Sequence, residues 1–421
     1  AVFLRGEAGV GKSRLVAEAA ERAAAAGFTV LVGRCLDTGE SALPYLPFTE
    51  IIDSLAANRP ELVSGHEALR HLLPGGYPRG DRAREDRPRD NRELGQLQVF
   101  DAVLSALAEL TASGPALLVL EDLHWADRSS RDLLVFLLSR LTGQRLVVLA
   151  TYRSDEMHRR HPLRAVLSEL VRLPTVERVE LAPLGPGESL ELVRMLAAGS
   201  LSERMLRSAA RRSEGNAFFA EELVSASSDG MPHGLAEVLV ARVEGLPPAT
   251  QRVLRIAAVA GRRVRHDQLA AVSGLDVDEL EQALRDAAAH HVLVAEDSSP
   301  TAGDTYIFRH ELLREAIYHE LLPGERSRLH AAYAALLAAG RPPESWGSVA
   351  AELAHHAMAG HDLPLALAAS VQAAREANDR EAPAEMLQHA ERAIELWSAV
   401  PDAESVTGID EGTLTRWAAW G

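Results

Sequence analysis

Eight consecutive residues, Gly6-Glu7-Ala8-Gly9-Val10-Gly11-Lys12-Ser13, fit the spacing G-x-x-x-x-G-K-[ST] without a mismatch. Glycines at these positions let backbone N–H groups converge on phosphate oxygens, and a helix that starts there turns its positive end toward the anion. Lys12 is expected to reach the β- and γ-phosphates, and the Ser13 hydroxyl to bind Mg²⁺. The run from Gly6 through Arg14 is therefore the expected cradle for ATP or ADP. The competing reading is a glycine-rich turn with an incidental lysine. Against it, lysine and arginine total 44 and the chain holds a single lysine, Lys12. That lysine occupies the one position where a planar guanidinium would be too bulky for the task.

A second group follows the apolar run Leu117-Leu118-Val119-Leu120, which ends in Glu121-Asp122. Acids at the end of a buried strand can hold Mg²⁺ and orient an attacking water. Glu121 stands where Asp is the usual metal partner, so either Glu121 or Asp122 could serve the metal with Ser13. After the run Leu146 to Ala150 comes Thr151-Tyr152-Arg153. Arg153 could sense the γ-phosphate from a neighbouring strand end, or be one more surface arginine in an arginine-rich chain.

The elements that would position these groups alternate. Residues 1–5 read as a strand, about 12–25 as an amphipathic helix and 28–32 as a second strand. Further strands are expected at 117–120, 146–150 and 176–181, with a helix over about 130–141. Short apolar strands alternating with helices predict a parallel α/β sheet covered on both faces. The Pro-, Gly- and charge-rich stretch 74–92 reads as an insertion with little to bury. The expected divisions are an α/β core at 1–185, a helical lid at 186–234, a winged helix at 235–322 and an all-α helical-repeat tail at 323–421. The winged helix rests on several helices followed by Val292-Leu293-Val294 and Tyr306-Ile307-Phe308. In the tail, Ala366/Ala373 and Ala390/Ala393 put small residues where helices could pack closely.

The chain has 421 residues, 47% hydrophobic and 25% charged, enough for two to four compact units. A net charge of −16 argues against a broad nucleic-acid or membrane footprint. The one cysteine, Cys35, excludes an intrachain disulfide and fits a reducing cytoplasm. No apolar run approaches the roughly 20 residues needed to span a bilayer. The opening Ala1-Val2-Phe3-Leu4 is already strand-like, so the chain reads as a piece of a longer protein.

With these residues in view, the chain resembles the signal-transduction ATPases with numerous domains (STAND). Within them it is most similar to the large ATP-binding regulators of the LuxR type from high-GC bacteria. The marks are GEAGVGKSR at 6–14, LLVLEDLHWAD at 117–127, LVVLATYRSDE at 146–156, RRSEGNAFFAEEL at 211–223 and FRHELLREAIY at 308–318. The resemblance implies a P-loop NTPase core, a phosphate-sensing role for Arg153 and an adenine-side turn at Gly215-Asn216-Ala217. Ala217 replaces the proline usual in that turn. It also implies a nucleotide-sensing histidine at His310, for which a packed histidine at a strand-to-helix junction is the residue-level alternative. Trp125 is expected to pack against a neighbouring helix. His355, His356 and His361 lack cysteines or carboxylates at ligand spacing, so no metal site is expected there.

The expected function is a slowly hydrolysing ATP switch with MgATP and MgADP as ligands. Self-assembly driven by ATP and a protein or small-molecule effector on the tail fit the same resemblance. An alternative output is a nucleotide cyclase or protein kinase. Direct DNA binding would fall to residues 276–289, where Asp276, Asp278, Glu279, Glu281 and Asp286 outnumber Arg285. Such a helix repels phosphates, so any DNA reader is expected in a separate segment.

Overall fold

The computed structural model describes residues 1–36, 44–73, 89–141, 143–158, 161–225, 243–296, 304–340 and 349–420. Its first sheet has five parallel strands: β1 (Val2–Gly6), β2 (Thr29–Arg34), β3 (Ala116–Glu121), β4 (Leu146–Arg153) and β5 (Glu177–Glu180). Their spatial order is β2-β3-β4-β1-β5. Alternation along the strands supplies two apolar faces. Leu4, Leu117 and Val119 pack with Val16 of α1 (Lys12–Ala25). Phe3, Leu118, Leu120 and Ala150 face the opposite side, toward α4 (Arg89–Ser113), α5 (Arg128–Arg140) and α6 (Pro162–Leu170). Helices thus cover both faces, as the sequence predicts.

Three details differ from the sequence expectation. The 74–92 stretch does not end where expected: 74–88 lies outside the described residues, but α4 is already helical from Arg89. The fifth strand is an exposed edge, Glu177-Arg178-Val179-Glu180, rather than a buried apolar run. Charges on an edge discourage pairing with another chain. Between β2 and α4 the chain adds α2 (Leu46–Asn58) and α3 (Pro60–Ser64).

After the sheet, α7 (Pro186–Ala197), α8 (Glu203–Arg212) and α9 (Ala217–Ser225) share a small core around Val193, Leu206 and Leu223. Residues 226–234 of the expected lid lie outside the described residues. A further unit contains α10 (Pro248–Ala260), β6 (Arg263–Arg265), α11 (His266–Ser273), α12 (Val277–Ala289), β7 (Leu293–Glu296), β8 (Thr305–Phe308) and α13 (Glu311–Glu320). Its antiparallel sheet runs β6-β8-β7. The third strand, β6, gives almost no sequence signal because one valine stands between two arginines.

The tail is helical: α14 (Pro323–Ala338), α15 (Val349–Ala359), α16 (Leu363–Asp379), α17 (Pro383–Trp397), α18 (Ala403–Thr407) and α19 (Glu411–Trp420). Ala366, Ala373, Ala390 and Ala393 are all buried, and small side chains let neighbouring helices approach. The tail also returns to the sheet domain, since Leu367, Met386 and Leu396 belong to the same apolar cluster as Leu118 and Leu137. At this junction Asp127 caps α5, accepting from the Ser130 N–H at 2.8 Å. The Glu385 carboxyl of α17 reaches the same helix end, accepting from the Ser129 N–H at 3.1 Å and from the Ser129 hydroxyl. Tyr45 joins them, its N–H donating to Asp127 at 3.2 Å and its hydroxyl to the Glu381 carbonyl at 3.0 Å.

Candidate functional site

The parallel order places the carboxyl ends of β1, β4 and β3 side by side. Gly6 is in register with Arg153, and Leu120 with Ala150. The loop Gly6–Ser13, Arg153 and the Glu121-Asp122 pair therefore emerge at one rim of the sheet, where open α/β sheets bind ligands. Gly9 (φ 78°) and Gly11 (φ 111°) take left-handed backbone. They bend the chain into α1, whose first-turn N–H groups have no acceptor within the helix. Lys12 is buried, its ammonium donating to the carbonyls of Gly6 at 2.8 Å and Glu7 at 2.7 Å. Burial lowers its pKa, which the nearby Asp122 charge opposes. Ser13 and Arg14 are exposed at the start of the helix. This donor set suits a phosphate: backbone amides at a positive helix end, an ammonium at the base and, beyond β4, the carboxylates at the end of β3 for a metal.

Both acids are already engaged. Glu121 is buried and pairs with Arg34 at 3.1 Å. Asp122 has left-handed backbone (φ 59°), and its N–H donates to the Thr151 hydroxyl at 3.0 Å. Its carboxylate pairs with Arg262 at 2.6 Å. Arg153 is not a surface arginine. It is buried, paired with Glu156 at 2.6 Å and with Glu315 of α13 at 3.0 Å. Its guanidinium also lies 5.3 Å from the centre of the Trp125 ring, within cation–π range. Trp125 packs against the core beside His124, as a structural aromatic would. Burial, and then the Arg153 charge, push the His124 imidazole down to about 2. That ring is neutral, and its Nδ1 accepts from the Arg153 N–H at 3.4 Å.

The Gly215-Asn216-Ala217 turn comes to the same loop. Gly215 is left-handed (φ 83°), and a Cβ there would stand 2.4 Å from the Leu184 carbonyl oxygen. The turn directs the Asn216 amide to the Ala8 carbonyl at 2.8 Å, while the Asn216 side-chain oxygen accepts from the Phe219 N–H at 3.1 Å. The Phe218 N–H donates to the Gly9 carbonyl at 3.0 Å. The His310 ring lies 4.1 Å from the Phe218 ring, centroid to centroid. His310 is thus linked to the loop through one aromatic.

Residues with no motif of their own complete the site. Arg34 bridges Glu121 and Glu296 of β7, the latter at 3.2 Å. Arg263 of β6 pairs with Glu296 at 2.6 Å and with Glu50 of α2. Arg309 pairs with Glu221 of α9 at 2.9 Å. The pairs Arg262–Asp122, Arg263–Glu50 and Arg153–Glu315 each span more than 100 residues, and only an excess of arginine in 262–265 hinted at the first two. The arrangement can hold a nucleotide at the sheet rim, beside the charge pairs that join the rim to the 248–321 unit.

Comparison with known proteins fits this geometry. Residues 1–149 match the family model of the AAA ATPase domain. An uncharacterized protein of Rhizobium meliloti (strain 1021) is 28% identical over an alignment covering 98% of this chain and 42% of its own length. The chain therefore spans less than half of that relative. Among solved structures, a Signal Transduction ATPase with Numerous Domains from Pyrococcus horikoshii, carrying a tetratricopeptide repeat sensor, superposes with a TM-score of 0.53 at 13% identity. That match covers 99% of this chain and 60% of the other, and at this identity it speaks for the fold.

Proposed function

We propose that this chain, whose residues 1–149 are an AAA ATPase domain, is the ATP-driven switch of a larger signalling protein of the LuxR regulator type. The nucleotide is held by the backbone of Gly6–Ser13 and the Lys12 ammonium, with Ser13 and one of Glu121 and Asp122 serving Mg²⁺. The other acid orients the attacking water. At the two acids, Arg34 and Arg262 hold the places that a magnesium ion would compete for. Arg153, Asn216 and His310 report the nucleotide's state to the neighbouring units. Self-assembly and effector binding on the helical tail belong to the same proposal, as does cytoplasmic residence. Among the described residues no helix is long and apolar enough to cross a membrane.

The observation that carries this reading is the bridging of both acids by arginines in a network shared with the 248–321 unit. A plain hydrolase needs free acids, whereas a switch needs them to exchange partners. A few kcal/mol of differential affinity is enough to move such an equilibrium. The order α10-β6-α11-α12-β7-β8 supports assigning this unit as a winged helix. Asp276, Asp278, Glu279 and Glu281 are exposed on and beside α12. That acidic face disfavours DNA contact, while Arg262, Arg263 and Glu315 support packing on the ATPase, leaving DNA reading to another segment of the parent protein.

The test is binding of ATP and ADP with Mg²⁺ by the wild type, Lys12→Ala and Glu121→Gln. Lys12→Ala is expected to abolish tight binding, and Glu121→Gln, with Asp122→Asn if needed, to bind but hydrolyse poorly. Equal affinity in the Lys12 variant sinks the assignment. A mobility shift on DNA with tight, sequence-selective binding would overturn the packing role of the 248–321 unit.

A further inference from the structure

Away from the nucleotide rim, the fold brings His330 to the consecutive pair His355-His356. His330 projects from α14, and His355 and His356 from α15. The group does not include His361. One ligand-capable nitrogen from each of the three lies within 4.8 Å of the other two. His330 Nδ1 and His356 Nδ1 are 2.8 Å apart, and the His330 and His356 rings are each about 98% removed from solvent (2% exposed). We propose that His330, His355 and His356 form a binding site for a divalent transition cation, with Zn²⁺ the best-fitting ion.

Three imidazoles are a donor set for zinc and its late first-row neighbours, not for Mg²⁺ or Ca²⁺. Tetrahedral zinc with Zn–N bonds of about 2.0–2.1 Å sets its ligands roughly 3.4 Å apart. The 2.8 Å pair needs to open by about 0.6 Å, and the third nitrogen, within 4.8 Å of the others, to close by at most about 1.4 Å. A fourth position remains for water. The surroundings are those of a metal-bound histidine, whose second nitrogen usually donates to a fixed acceptor. His330 Nε2 lies 3.1 Å from the Tyr318 hydroxyl of α13, which frees Nδ1 to face the cation. The His356 ring is stacked on Tyr333 with centroids 5.1 Å apart. Tyr333 in turn donates to the Ile256 carbonyl of α10 at 3.1 Å. A cation here ties α14 to α15 at the place where the 248–321 unit meets the helical tail. It would stiffen the joint between that unit and the tail. The competing occupant is a single proton shared between His330 and His356, with no metal affinity.

The experiment uses the full chain stripped with a chelator and titrated with ZnCl₂ against a chromophoric competitor. CoCl₂, followed by visible absorption, reports the geometry. The expected result is uptake of one equivalent and a higher Tm on adding Zn²⁺. His355→Ala, at the half-buried ligand, and His330→Gln should each lose that uptake, with folding checked by circular dichroism. Tyr318→Phe, which removes only the outer contact, should weaken it by about tenfold. Absence of stoichiometric Zn²⁺ and Co²⁺ uptake by the wild type overturns the proposal. So does wild-type affinity retained by either histidine variant. Neither outcome bears on the nucleotide site, which is assayed separately with MgATP.

Discussion

The Arg262 guanidinium and the Asp122 carboxylate, 140 residues apart, meet at 2.6 Å at the carboxyl end of β3. With side chains only 17% and 16% exposed, the pair is little screened by solvent. Ionic hydrogen bonds of this kind contribute on the order of 1.5–3 kcal/mol. Arg262→Ala should shift the equilibrium between docked and undocked 248–321 unit by about tenfold or more. ADP release, followed with a fluorescent analogue in stopped flow, should accelerate accordingly. Unchanged release would show that the pair does not hold the unit in place.

Asn216 and Gly9 form a tighter coupling. The Asn216 side chain makes two hydrogen bonds, to Ala8 and Phe219, and a Cβ on Gly9 would sit 2.6 Å from its oxygen. Gly9→Ala also forces an L side chain to φ +78°, a strain of about 1–3 kcal/mol. Gly9→Ala and Asn216→Ala are each expected to lower nucleotide affinity. The double variant should fall short of the sum, because removing the amide relieves the clash. A double-mutant cycle by calorimetry measures this, and strict additivity would deny the contact.

Glu385 makes stability depend on pH with an unusual sign. Burial first, then the Asp127 charge, raise its carboxyl to about 8. Asp127 is raised by burial too, but three hydrogen bonds from Ser130 and Tyr45 oppose that shift. A folded pKa above the unfolded value of 4.5 gives a contribution that is full below about 4.5 and lost as pH rises through about 8. The Tm should therefore fall between about pH 4.5 and 8. Its slope corresponds to at most one proton, about 1.4 kcal/mol per pH unit. Glu385→Gln, which keeps the shape without the charge, should flatten the profile. An equally steep profile in that variant would exclude Glu385 as the source.

Gly33 tests how closely α2 rides on the sheet. A Cβ there would lie 2.1 Å from the Pro47 carbonyl oxygen, a backbone atom that cannot swing aside. Gly33→Ala should cost about 1–3 kcal/mol or more by overpacking, seen as a lower urea midpoint. Loss of Glu121 alignment should follow, since Arg34 is the next residue.

The legible parts of this molecule were local ones. The loop Gly6–Ser13, the buried β3 and the α5 helix each declare themselves within a dozen residues, through spacing or periodicity. The order β3-β4-β1 was not legible, since parallel connectivity allows several orders, but acids at the end of a buried strand after the loop could be expected from sequence. Arg262, Arg263, Glu315 and Glu296 could not, because an ion pair across two units leaves no periodic trace. Arg153 was ambiguous for the same reason: only its burial against Glu315 separates it from the other arginines. His330 lies 25 residues before His355, a separation that no ligand-spacing rule covers. β6 escaped because strand propensity is weak in a three-residue segment and its pairing with β8 supplies the order.

The solitary Lys12 has a practical corollary. Its ammonium is clasped by two backbone carbonyls in the fold, and a nucleotide would have to draw it away from them. Growing this chain with isotope-enriched lysine would give a magnetic-resonance spectrum with one side-chain signal, needing no assignment. That signal would register every event at the loop, free of overlap from the other 420 residues.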